Sequence, residues 1–553
     1  MRIDLASAPF HLDAAARDWV AGTLARLSPD QKLRQLFNLR INSPDPAFMA
    51  MVRDFGPGGI TWHPGPAAEA EKAGIATLKA AAATPLLVAA DLEGSRMSLP
   101  FGLELPNPVA LAAVDDVAAT EAIARLMARE ARAVGINWTF TPVLDINAAF
   151  RSAIVATRGF GADPERILRH AMATLRGFQA EGVAATAKHW PGEGYDDRDQ
   201  HLVTTINPLS MPEWEATFGR LYRAAIAEGV LSVMSAHIAL PAFVRDRPGI
   251  SGPEPFRPAS ISPFLTRDLL RGRLGFGGLI VSDATPMAGL GSWSRRAEHL
   301  PELLTAGCDV ILFSDDPEAD LGHLRAAIAD GRLDRARVDE ALTRQLALKA
   351  RLGLHLPGAD RPAAPFAPTE ADRALVDRVT RAAPTLVKDV RQTLPLSPAR
   401  HRRVLVMTTG IVFPFRPDPL PFALPDMLAA EGFEVTLHGP ATGDVTPDRF
   451  DLVLYLFGDE TLLTRGRIFL DWLKLTGHFG AAMKRSWHDI PSVMVSFGFP
   501  YLLYDAPRMP TAINAWCTTE SMQRAVADLL LGRGTWNRNS PVDPFAGAPD
   551  SRY

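Results

Sequence analysis

The sequence predicts an α/β protein in two parts: an N-terminal (β/α)8 barrel of the TIM type followed by a three-layer α/β/α sandwich. Three observations carry this. At 553 residues the chain exceeds what one ordinary core organises. From about residue 30 to 315, short apolar runs alternate with amphipathic helical stretches, the pattern of βα units around a parallel sheet. The composition then shifts to LHLPGADRPAAPFAPTEAD before a second alternating series begins.

Eight runs read as barrel strands: QLFNL (35–39), GGITW (58–62), LLVAAD (86–91), INWTFTPVLD (136–145), AATAKH (184–189), LSVMSAH (231–237), GLIVSD (278–283) and CDVILFSD (308–315). Each precedes a polar or glycine-bearing loop and a helix-like segment. DPERILRHAMATLRGFQAEG follows the fourth, and MPEWEATFGRLYRAAIAEG the fifth. Eight such units match a closed barrel. The boundaries read as a barrel over 1–355, a Pro/Ala-rich linker over 356–370, a sandwich over 371–540 and an irregular tail over 541–553. In the second part ADRALVDRVTRAAPTLVKD reads as a helix. RVLVMTTG (403–410), FEVTLHG (433–439), DLVLYLFG (451–458) and PSVMVSFG (491–498) read as strands of a parallel sheet.

Composition excludes several classes. Hydrophobic residues make up 47%, charged residues 22%, and the formal net charge is −4. This balance exerts no long-range pull on nucleic acid or an anionic membrane. Cys308 and Cys517 lie far apart inside apolar runs and read as buried thiols. No basic start followed by an apolar run opens the chain, so the expectation is a cytoplasmic protein. GFGG at 275–278 precedes a strand and is no dinucleotide fingerprint. No cofactor is expected. Phe497, Tyr501, Tyr504 and Trp516 read as core aromatics.

Polar residues gather at strand ends. Asp91, Asp145, Lys188 with His189, His237 and Asp283 each close a different expected strand. In a barrel those ends converge on one face, so residues distant in sequence share a pocket. Asp283 faces whatever lies above the barrel and could attack an electrophilic carbon, hold a metal, or merely cap a helix starting near Pro286. The loop AKHWPGEGYDDRDQH adds Asp199 and His201, two apart and therefore on one side of an extended stretch. Such a carboxylate can fix the imidazole tautomer and tune a proton donor. Gly192 and Gly194 make the loop easy to bend. Lys188 and His189 point to opposite faces if both remain in the strand.

These motifs resemble glycoside hydrolase family 3, and within it the two-domain form of the bacterial β-N-acetylglucosaminidase branch. KHWPGEGYDDRDQH is similar to that branch's K-H-F-P-G-H-G loop with its following D-S-H. DLEGSRM resembles D-x-E-G-G-R, PVLDIN resembles P-V-L-D-V-N, and TRGFG resembles R-S-F-G. VMSAH, VSDATPM and VMVSFGFPYLLYD also have counterparts. The resemblance implies a retaining exo-glycosidase, with Asp283 as nucleophile, His201 as acid/base and Asp199 as its orienting partner. It further implies that Asp91, Arg158, Lys188, His189, His237 and Met287 contact the sugar, with no metal. Asp145 is expected to support Arg158 or Lys188. Glu193 stands where the branch carries histidine, and is expected to touch substrate or face water.

The leading expectation is a β-N-acetylhexosaminidase acting on a small carbohydrate, as monomer or homodimer, without nucleic acid or membrane partners. Phosphorolysis on the same scaffold is the near alternative, because an imidazole does not repel phosphate as a second carboxylate would. A metal-dependent amidohydrolase using Lys188, His201, His237 and Asp283 would want an H-x-H pair, and the early strands supply only His63. A silent sugar-binding protein would not require the Asp199, His201 and Asp283 trio.

Overall fold

All eight barrel strands form, over Phe37–Ile41, Gly59–Trp62, Leu87–Ala90, Trp138–Thr139, Thr186–Trp190, Ser232–Ser235, Leu279–Ala284 and Val310–Leu312. The computed structural model describes residues 3–42, 45–359, 365–413 and 416–553. The strands lie parallel in the order 4-3-2-1-8-7-6-5, so each neighbours the next in sequence. The ring comes nearly to closure between the fourth and fifth strands. There Thr139 N–H donates to Ala184 O at 2.8 Å, and Thr186 N–H to Thr141 O at 2.9 Å. The fourth strand is shorter than its ten-residue apolar run suggests, because Pro142 has no N–H to give a ladder. An isolated bridge between Val143 and Lys188 still keeps that segment alongside the fifth strand.

The helices follow the sequence signals. Asp163 caps Pro164–Ala180, accepting from Glu165 N–H. Ser210 and Glu213 form a reciprocal capping box at the start of the 211–227 helical run, which contains one π turn over Glu215–Gly219. Trp138, Trp190, Trp214 and Tyr222 are fully buried in the core shared by barrel and helices. A two-strand parallel ladder joins Thr205–Ile206 to Ile238–Ala239. Strands of two residues are too short for periodicity to reveal.

The second sheet has six strands, ordered Thr385–Asp389, Thr511–Asn514, Ser492–Ser496, Leu452–Asp459, Arg403–Val412, Glu434–Leu437. The four expected strands are present and mutually parallel. Two were not read from the sequence. TLVKD was expected as the end of a helix, but that helix stops at Ala382 and TLVKD becomes an edge strand antiparallel to Thr511–Asn514. Pro384 explains the break, since a proline has no N–H to continue the helical ladder and its ring clashes with the preceding turn. The expected linker falls partly on 360–364, outside the described residues. Phe497, Tyr501 and Trp516 are buried as expected, whereas Tyr504 is exposed, its hydroxyl accepting from Arg151. Both cysteines are free and buried. Among the described residues no helix is long and apolar enough to cross a membrane.

The two sheets meet along the segment after Leu452–Asp459. Glu460 accepts from Ser95 Oγ at 2.7 Å, from Asn107 Nδ2 at 3.2 Å and from Thr518 N–H at 2.8 Å. Ser95 sits at φ +49°, the left-handed region, where the related motif has glycine. Leu462 N–H donates to Ala153 O, and Thr461 meets Thr157 at 3.0 Å. This segment therefore lies against the loops that carry the strand-end residues.

Candidate active site

The carboxyl ends of the barrel strands bring the expected residues together. Asp283, the penultimate residue of the seventh strand, is largely buried and accepts its neighbour's amide, Ala284 N–H, at 2.7 Å. It does not cap the following helix, whose N-cap position is Met287 without a side-chain bond. Burial works to raise the Asp283 carboxyl. The facing imidazoles of His189, His237 and His201 outweigh it and hold the group below the usual carboxylate range. An ionised Asp283 is thus the resting state.

Asp199 and His201 form the second element. His201 Nδ1 lies 2.6 Å from Asp199 Oδ1, which also accepts His201 N–H at 2.8 Å. Asp199 Oδ2 accepts Thr464 N–H from the second sheet's segment at 2.8 Å. The Asp199 side chain is buried, while that of His201 is 22% exposed. Burial would raise the Asp199 carboxyl, but the His201 contact and the two backbone donors carry it below its ordinary value. With Nδ1 committed to Asp199, Nε2 is the nitrogen left to exchange a proton.

A buried ion cluster flanks them. Arg158 makes a two-pronged contact with Glu93, Nε to Oε2 at 2.8 Å and Nη2 to Oε1 at 2.9 Å. Lys188 Nζ lies 2.7 Å from Glu93 Oε1 and 3.1 Å from Asp91 Oδ1. Burial opposes the charge on Glu93, yet Arg158 and Lys188 hold it far below the carboxylate range. The same contacts raise Arg158 and Lys188 against their own burial. Glu93 was missed as a site residue in the sequence. Its signal was present: in DLEGSRM it stands two residues after Asp91, the spacing that aims both side chains one way.

Asp145 extends one expectation. Its charge does favour the Arg158 cation, but its hydrogen bonds go elsewhere: His189 Nδ1 lies 2.6 Å from Asp145 Oδ2, and Asp145 Oδ1 accepts the amides of His189 and Glu193 at 3.1 and 3.0 Å. His189 Nε2 is then 3.3 Å from Arg158 Nη2. Lys188 and His189 both belong to the fifth strand, yet both reach the site, because the pairing register with the sixth strand shifts between Ala187 and Trp190. Strict alternation is lost there.

Glu193 corrects another. It does not face water; it is buried, with Oε2 accepting Gln200 Nε2 at 2.9 Å. Burial first, then the facing charge of Asp145, pushes its carboxyl well above the ordinary value. Arg158 pulls the other way, and Asp199 and Asp283 push further up. The glycines beside it serve close packing. A Cβ on Gly192, at φ +118°, would lie 2.2 Å from the Phe218 ring, and one on Gly194, at φ +109°, 1.9 Å from Ile146 O.

His237 is fully buried. Its Nε2 donates to Ala284 O at 3.0 Å and its Nδ1 meets Ser260 Oγ at 2.9 Å, so it braces the end of the seventh strand and has no free nitrogen for a sugar. Met287 is buried at the start of the helix whose Ala288 N–H donates to His201 O at 3.0 Å. Asp145, His189 and Glu193 form the one group among the described residues with ligand atoms within 4.8 Å of one another. Nδ1 of His189 and Oδ2 of Asp145 are already engaged with each other, so the trio is a hydrogen-bonded support. A cavity of about 410 Å³ has Phe150, Arg151, Tyr195 and Asp196 in its lining, and Asp283 does not line it.

Comparison with known proteins agrees with this geometry. Residues 29–348 match the model of the glycosyl hydrolase family 3 N-terminal domain. A beta-N-acetylglucosaminidase/beta-glucosidase of Cellulomonas fimi is 40% identical over 99% of this chain and 100% of its own. A beta-hexosaminidase of Stenotrophomonas maltophilia (strain R551-3) is 37% identical over 43% of this chain and 69% of its own. The solved structure of the beta-glucoside phosphorylase BglX bound to 2FGlc superposes with a TM-score of 0.91 at 34% identity, covering 98% of this chain and 99% of its own. A family 3 beta-N-acetylglucosaminidase from Paenibacillus sp. str. FPU-7 follows at 25% identity and a TM-score of 0.79, covering 94% of this chain and 100% of its own. With its domain model matched over more than half the length and a full-length relative at 40% identity, the chain belongs to glycoside hydrolase family 3.

Proposed function

We propose that this enzyme is a retaining, exo-acting β-glycosidase that takes terminal β-linked N-acetylglucosamine or glucose. The observation that carries the proposal is the pairing of an ionised Asp283 with a separate, carboxylate-oriented imidazole, His201, at the same barrel face. Retention needs an anionic nucleophile on one side of the sugar and a proton carrier for the leaving oxygen. In the first half, Asp283 forms a bond to the anomeric carbon while His201 Nε2 gives its proton to the departing oxygen. In the second, His201 takes a proton from water, the water oxygen bonds to the anomeric carbon, and Asp283 leaves as a carboxylate. Asp91, Arg158, Lys188 and His189 form the polar wall against which sugar hydroxyls dock. The full-length relative named for both N-acetylglucosaminide and glucoside activities supports this range of sugars.

The test is covalent. A 2-deoxy-2-fluoro aryl glycoside should label the peptide containing Asp283, and Asp283→Ala should turn over no aryl glycoside. Label on any other residue, or substantial activity in Asp283→Ala, would reject the assignment.

Phosphorolysis is the second reading, favoured by the imidazole acid/base and by the similarity to the phosphorylase. Sugar 1-phosphate released in phosphate buffer would establish it, and free sugar alone would dismiss it.

A further inference from the structure

We propose that Glu193 is a positioning residue: it grips the side-chain amide of Gln200 and thereby sets the Asp199–His201 pair against Asp283. The proposal rests on the reading of that pair as the proton carrier. Gln200 is the residue between Asp199 and His201, and it is fully buried. Both ends of its amide are engaged. Nε2 donates to Glu193 Oε2 at 2.9 Å, and Oε1 accepts His237 N–H at 3.1 Å. Glu193 in turn is fixed at its backbone, where its N–H reaches Asp145 Oδ1 at 3.0 Å. A continuous hydrogen-bonded line therefore runs from Asp145 through Glu193 and Gln200 to the sixth-strand loop at His237. The proton carrier hangs on its middle.

The state of Glu193 follows from what faces it. Asp145, Asp199 and Asp283 present like charge, Arg158 opposite charge, and His189 Nδ1 lies 4.0 Å from Oε2. A carboxylate added to this set would be repelled by the very groups the reaction needs ionised. The protonated acid keeps Oε2 as the acceptor for Gln200 and leaves Oε1, buried and without a hydrogen-bond partner, to carry the proton. As pH rises through its raised value, Glu193 ionises against Asp145, Asp199 and Asp283, and the grip on the loop weakens. Glutamine at this position mimics the protonated acid in shape and charge.

The experiment compares Glu193→Gln, Glu193→Ala, Gln200→Leu and the double variant Glu193→Ala/Gln200→Leu on an aryl glycoside. At neutral pH, Glu193→Gln should keep kcat within about threefold, whereas Glu193→Ala and Gln200→Leu should each lose at least about tenfold in kcat with KM changed less. The double variant should lose no more than the worse single, because both remove one link. In infrared difference spectra the wild type should show a protonated carboxyl band at neutral pH that Glu193→Gln lacks. If Glu193→Ala does not fold, the conservative variant still decides: with a basic leaving group that must be protonated, its alkaline limb should lie above that of the wild type. Additive losses, a Glu193→Gln as impaired as Glu193→Ala, coincident alkaline limbs, or no protonated carboxyl band would overturn the proposal. Labelling at Asp283 tests the reaction itself, so the two ideas fail separately.

Discussion

Thr464, from the segment that follows the second sheet's fourth-ordered strand, donates its backbone N–H to Asp199 Oδ2, the carboxylate that orients His201. The second domain thus takes part in the site through one amide. Thr464 adopts φ +65°, which glycine accepts at no steric penalty. Thr464→Gly should retain the donor and near-normal kcat. Glu460→Ala should not: it strips the acceptor shared by Ser95, Asn107 and Thr518 at the start of the same segment. We expect a loss of about 1–3 kcal/mol of stability from the unpaired donors, and a fall in kcat that Thr464→Gly does not share. Thermal melts and steady-state kinetics of both variants check this, and equal kcat in the two would refute the anchoring role.

Asp199→Asn tests the orienting carboxylate. The amide keeps the size of the side chain but removes the charge that draws a proton onto His201 Nδ1. Loss of assisted proton transfer should lower kcat by roughly 10²-fold or more. The loss should be greatest on substrates with basic leaving groups and small on dinitrophenyl glycosides, which need no proton. A uniform loss across leaving groups would place Asp199 in structure and not in proton transfer.

Glu93 is the hub of the buried cluster, and removing its charge leaves Arg158 without its paired carboxylate and Lys188 with only Asp91. Glu93→Gln should cost about 3–5 kcal/mol, the usual penalty for breaking a buried pair. The pH dependence gives a second readout. The folded value of Glu93 lies far below its ordinary 4.5, so its stabilisation is complete above that range and fades as pH falls toward the folded value. Melting curves of the wild type should therefore steepen below about pH 4.5 more than those of Glu93→Gln, with parallel acid limbs as the contrary result.

The barrel was legible because its eight apolar runs are separated by long amphipathic helices, and the site was legible because Asp91, Asp145, Lys188, His189 and Asp283 sit where those runs end. What escaped reading has physical reasons. TLVKD continues an amphipathic helix in composition, and only Pro384 signals the change to a strand. Asp145 could have supported any cation at the rim; which one depends on the register shift at Ala187–Trp190, a tertiary feature. The burial of Glu193 depends on Gln200 and Phe218 closing over the loop, contacts that no local pattern encodes. Likewise nothing in residues 459–465 announces that one amide among them reaches Asp199.

Glu130 yields a stability prediction away from the site. It lies in Val117–Val134, buried, with Oε1 accepting Leu103 N–H at 2.9 Å. Burial pushes its carboxyl from 4.5 up to about 7, the Leu103 amide and the Arg129 charge offsetting only part of the effect. The folded chain therefore holds a proton that the unfolded chain releases. The penalty is absent below the unfolded value, grows as pH rises from about 4.5, and is complete above about 7. Glutamine keeps the acceptor for Leu103 and never ionises. Since each unit corresponds to about 1.4 kcal/mol, Glu130→Gln should gain up to about 3 kcal/mol at alkaline pH and nothing near pH 4. Melting temperatures of the two proteins across that range should diverge with rising pH, and a constant offset would show that the carboxyl is not held in its protonated form.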